Sequence, residues 1–206
     1  MKYFALITLL ILSACAAGPK DAQTYLESKN VYEFTDHKNF QHCRAYGCRE
    51  IDTLTLPPKE WKDIAKVFKP TSKNAKLERE RIAKAIGIFE TKIGAINGTD
   101  QDIFGTFKKV GTKQHDCVDE SVNTTIYLSL LEQDGLLKFH DIGGPDTRIP
   151  LIHYSGVWPH QTAVIFEKDT KDAYAVDSWF HNNGFPAEIV PLQAWKGGWK
   201  PAEHKK

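Results

Sequence analysis

The chain has 206 residues, with 27 Lys or Arg against 26 Asp or Glu and a net charge of +1, so it lacks the basic excess of a general nucleic-acid binder. Apolar residues at 41% and charged residues at 26% give the balance of one folded globular domain, and four cysteines are too few for a large disulfide scaffold. No apolar run beyond the N-terminus approaches the roughly 18 residues that a membrane span requires.

In chain order, Lys2 leads an apolar stretch from Tyr3 to Leu12, and small residues precede Cys15. This charge order and length read as a secretory signal peptide, too short for a spanning helix. Leu12-Ser13-Ala14-Cys15 resembles the lipobox of bacterial lipoproteins. The resemblance implies that residues 1–14 are removed and that Cys15 carries several acyl chains, which together anchor the protein stably in a membrane. Ala16, where an Asp would imply inner-membrane retention, implies the outer membrane, with the protein facing the periplasm. The plainer alternative is secretion after cleavage near Ala14 or Ala17. Residues 15–30 then read as a lipid-anchored tether, and residues 31–206 as a single domain.

Cys43-Arg-Ala-Tyr-Gly-Cys48 can close a small disulfide loop in an oxidising compartment. A metal pair helped by His37 and His42 competes with it, although no second pair completes a four-ligand set. Pro57 and Pro58 open a helix with Trp61, Ile64, Ala65 and Phe68 on one face, ended by Pro70. A longer helix runs from about Asn74 to Ile96, burying Leu77, Ile82, Ala85, Ile86, Phe89 and Ile93 and solvating residues 76–81. Residues 97–115 form a polar loop of a length that often shapes a binding groove. The sequons at Asn97 and Asn123 read as structural.

Asp116 is a good helix N-cap, with Asp119 or Glu120 placed as the returning acid of a capping box, so Cys117 falls on the first helical position. Helical spacing continues to Leu130, and Gly135 stops it. The helix dipole favours a thiolate there, while the neighbouring acids oppose it, so a cationic partner is needed. Residues 136–142 and 149–154 read as two strands. Trp158–Glu167 is a third, with His160 at its start, and Ala173–Phe180 a fourth. Asp177 sits in an apolar, aromatic strand where a carboxylate needs a partner, and a hairpin places His160 beside it. Trp195 and Trp199, in the tail, read as core cover. The fold expected is α+β: an N-terminal helical layer and the Cys117 helix packed on an antiparallel sheet of about four strands.

Cysteine at a helix start, histidine on a strand and aspartate on the next strand resemble the transglutaminase-like and papain-like cysteine enzymes. The marks Asp116-Cys117-Val118-Asp119-Glu120-Ser121-Val122-Asn123-Thr124, Trp158-Pro159-His160 and Val176-Asp177-Ser178-Trp179-Phe180 also resemble a group of proteobacterial lipoproteins that brings no known activity. The enzyme resemblance implies Cys117 as nucleophile, His160 as general base and later acid, and Asp177 as orienter of the imidazole. The oxyanion would be met by the Cys117 backbone N–H and a second donor from Gln114 or His115, although neither stands where papain-like enzymes place their glutamine. A membrane-tethered hydrolase or acyltransferase acting on peptide or cell-wall amides, without a cofactor, is therefore expected. The alternative is a non-catalytic envelope lipoprotein using the same scaffold for binding or assembly. A metal held by Asp116, Asp119, Glu120, His160 and Asp177 with Cys117 lacks any recognised ligand spacing, so no metal is expected.

Overall fold

A computed structural model describes residues 21–106, 111–149 and 159–206. The signal sequence, Cys15 and the start of the tether therefore lie outside the described residues. Helix α1 (Ala22–Glu27) falls within the stretch expected to be a tether, yet Tyr25 and Leu26 are buried in the main core. The packed body thus begins before residue 31. An antiparallel hairpin, β1 (Phe40–Arg44) and β2 (Glu50–Leu54), follows, and sequence patterning did not foresee it.

Helix α2 (Pro58–Lys66) opens on proline and buries Trp61 and Ile64. Helix α3 (Ala75–Asn97) starts where the Asn74 side chain accepts from the Leu77 N–H, and ends at Gly98, whose φ of 80° suits glycine. Helix α4 (Cys117–Gln133) is the central element, buried at every position from Asp119 to Leu131. A four-stranded antiparallel sheet completes the fold in the order β3 (His140–Arg148), β4 (His160–Glu167), β5 (Ala173–Asp177), β6 (Glu188–Pro191), followed by α5 (Leu192–Lys196).

The expected α+β class is observed, with two differences in the sheet. One strand, β3, starts within the strand expected at 136–142 and continues through Gly143 to Arg148, with a register shift between Gly143 and Asp146. Residues 150–154 lie outside the described residues. A strand from the tail, β6, which was not expected, pairs with β5 at the edge of the described sheet.

Alternation along the strands separates two cores. Ala163, Ile165 and Val176 join the main core with α3 and α4, whereas Val164 and Ala175 pack with Phe180, Leu192 and Trp195. His160 and Asp177 share the parity of this second set and face the C-terminal layer.

Two close contacts tie α3 to the rest. Glu78, fully buried, accepts from the Lys138 N–H at 2.7 Å, the Phe139 N–H at 2.9 Å and His140 Nδ1 at 2.9 Å. Gly87 lies against residues 184–185, where a Cβ would stand 2.7 Å from the Gly184 carbonyl oxygen. Gly87→Ala is therefore expected to destabilise by about 1–3 kcal/mol net, overpacking outweighing the roughly 1 kcal/mol of helix propensity gained. A urea unfolding midpoint at unchanged slope measures it, and a stabilised variant would contradict this packing.

Candidate active site

The N-terminus of α4 is built by a long-range brace. Asp116 Oδ1 accepts from the Val118 and Asp119 N–H groups at 2.9 Å, completing a capping box with Asp119. Both carboxylates also reach the β1–β2 turn. Asp119 accepts from the Tyr46 and Cys48 N–H groups at 2.7 Å each, and Asp116 from the Gly47 N–H at 3.1 Å. Asn123, a turn further on, exchanges two hydrogen bonds with the Cys43 backbone. The turn is closed by the Cys43–Cys48 disulfide. His37 stacks on Trp61, and His42 bonds the Tyr127 hydroxyl, so neither joins those sulfurs in a metal pair.

Cys117, at the first helical position, is 8% exposed. Its sulfur meets the backbone N–H of Gln161 and its own N–H, which favour the thiolate. Burial is the larger effect, and with the charges of Asp116 and Asp177 it pushes the thiol up to about 12. The resting sulfur is thus a thiol at neutral pH.

His160 and Asp177 meet as expected: Nε2 lies 2.7 Å from Asp177 Oδ2, both side chains being buried. The same oxygen accepts the Trp195 indole N–H at 2.7 Å. Trp195 is therefore more than core cover. Rings of Trp179, Phe180 and Trp195 surround the imidazole. His160 Nδ1 is buried without a hydrogen-bond partner. Asp177 thus holds the ring by one nitrogen, while the other makes no hydrogen bond, not even to the Cys117 sulfur.

Arg148, cross-strand neighbour of His160, went unnoticed in the sequence. It donates to the Trp195 and Trp199 carbonyls at 2.7 Å each and lies over the Trp195 ring. Its charge interacts with those of Asp177 and Cys117, but it does not offset the burial that keeps the thiol protonated. Burial also lowers its own pKa. Only the surrounding tertiary structure identifies it, since an isolated arginine at a strand end carries no motif.

The two oxyanion candidates are engaged elsewhere. The Gln114 amide bonds the Ile103 N–H and the Gln101 carbonyl, bracing its loop. The His115 ring lies between Glu120, at 3.1 Å, and Asp102, at 3.4 Å. The backbone N–H groups of Gln161 and Cys117 meet the sulfur instead. The five-residue metal reading also disperses, because Asp116 and Asp119 hold backbone N–H groups while His160 and Asp177 hold each other.

No family model, curated protein or solved structure matches this chain.

Proposed function

We propose that the chain is a thiol-dependent acyl-transfer enzyme acting on peptide or amide bonds, tethered to the bacterial envelope through a lipidated Cys15. The observation that carries this reading is the His160 imidazole, fixed to Asp177 by Nε2 and without a hydrogen-bond partner at Nδ1, on the residue whose neighbour's N–H meets the Cys117 sulfur. The anchor rests on the lipobox resemblance. No helix among the described residues is long and apolar enough to cross a membrane.

The chemistry follows from those groups. As substrate binding draws ring and sulfur together, the Cys117 proton passes to His160 Nδ1 and the sulfur attacks the carbonyl carbon. Asp177 stabilises the imidazolium. The N–H groups of Cys117 and Gln161 receive the developing oxyanion. His160 then returns the proton to the leaving amine, giving a thioester on Cys117 that water or a second amine resolves.

An acyl thioester donor offered to the full-length protein, followed by intact mass, tests this. One acyl group on Cys117 is expected in the wild type and none in Cys117→Ala. Acylation should slow by about 10²–10⁴-fold in His160→Ala. Labelling of Cys117 at an unchanged rate in that variant would sink the triad. The burial of the sulfur and its high pKa favour a second reading, a binding lipoprotein with an inert thiol. A wild type that never acylates supports it.

A further inference from the structure

The loop after α3 and the start of α4 enclose a second polar cluster, independent of the thiol reading. Asp102, His115 and Glu120 are all more than nine-tenths buried, and their donor atoms lie within 4.8 Å of one another. Glu90 on α3, also buried, is electrostatically coupled to Glu120 and His115.

Each carboxylate has one oxygen pinned and the other turned elsewhere. Asp102 Oδ1 accepts from the His115 N–H at 2.8 Å, Glu120 Oε2 from the Ser178 hydroxyl at 2.5 Å, and Glu90 Oε2 from the Gly184 N–H at 2.9 Å. That leaves Asp102 Oδ2 and Glu120 Oε1 against His115 Nδ1, at 3.4 and 3.1 Å. Glu90 Oε1 is buried with no hydrogen-bond partner. Such outer hydrogen bonds are what orient carboxylates as ligands. A first-row cation with bonds of about 2.0–2.2 Å separates its ligand atoms by about 3–3.5 Å, matching the two edges at His115.

Charge points the same way. Three acids share this interior with one imidazole, a cost that burial magnifies. A dication would balance Asp102 and Glu120 while His115 donates as a neutral ring.

We propose that Asp102, His115 and Glu120 bind one first-row divalent cation, with the buried carboxylate of Glu90 adding negative charge beside them. Imidazole with carboxylates suits Zn²⁺ or Mn²⁺ and disfavours Ca²⁺. The three ligands tie the loop to the first turn of α4, with His115 two residues before Cys117.

The test uses the full-length protein stripped with EDTA and then offered Zn²⁺. One equivalent should be retained through gel filtration. At about a hundredfold excess over Kd the unfolding midpoint should rise by about 5–10 °C. Asp102→Asn and Glu120→Gln should each weaken binding more than 10-fold, whereas Cys117→Ala should bind as wild type. X-ray absorption on the loaded wild type, which depends on no variant folding, should show nitrogen and oxygen ligands only. Failure to take up Zn²⁺, equal uptake by both acid variants, or a sulfur ligand at about 2.3 Å would overturn the site and leave a proton-shared cluster.

Discussion

Asp177→Ala is expected to destabilise the protein by about 3 kcal/mol, and Asp177→Asn by about 1 kcal/mol or less. A single oxygen, Oδ2, accepts from both His160 Nε2 and Trp195 Nε1 in a buried setting. Alanine strands both donors, each at roughly 1–3 kcal/mol. Asparagine can place its carbonyl oxygen in the same position and keep both bonds. The two variants therefore separate architecture from charge. Asparagine retains the ring position but offers the imidazolium no counter-charge, so acylation of Cys117 should fall while the urea midpoint barely moves. Equal destabilisation by both variants would show that the carboxylate charge, and not its geometry, holds this corner together.

Glu78→Ala is expected to have the larger effect, about 3–5 kcal/mol, because it breaks a buried charged cluster from one side. Two backbone N–H groups and His140 Nδ1 lose their acceptor at once. The guanidinium of Arg79 approaches His140 Nε2 at 3.1 Å and can only donate, so Nδ1 is the nitrogen that gives its proton to Glu78. The same contacts set a pH dependence. Burial alone would raise the Glu78 carboxyl, but the hydrogen bonds from His140 and the two N–H groups outweigh it and hold the pKa below the ordinary 4.5. A folded pKa below the unfolded one means a contribution present in full above pH 4.5 and lost as pH falls through the folded value. Wild-type stability should therefore decline on acidification below about pH 4.5, and Glu78→Gln should flatten that part of the curve. A variant that keeps the full acid slope would assign the loss to other carboxylates.

The parts of the structure legible in the sequence were those written in local chemistry. Asp116 announced a helix start, and the capping box formed there. Asp177 announced a partner, because a carboxylate in an aromatic strand cannot stand alone. The β1–β2 hairpin was not legible for a physical reason. Its turn places Ala45, Tyr46, Gly47 and Cys48 all at positive φ, between 58° and 73°. Three of these are residues that avoid that region, and no local preference signals such a turn. The disulfide and the acids of α4 hold it. The strand expected to end at residue 142 continues through Gly143, where a Cβ would meet the Phe166 ring at 2.4 Å. Asp102 and Glu90 carry no spacing at all, and only folding brings them to His115 and Glu120.

The brace on α4 also bears on the order of assembly. The two carboxylates that finish this helix bind N–H groups 69 to 73 positions upstream, and Asn123 reaches back 80. The disulfide that shapes their receptor spans five. Closing a loop of five residues is fast and independent of the rest, whereas contacts across seventy await the collapse of everything between. An oxidised chain thus carries a closed but incompletely fixed template before its central helix docks and supplies the acids that complete it. A reduced chain must order the template and close the long loop together, and its search for the native pairing is correspondingly slower.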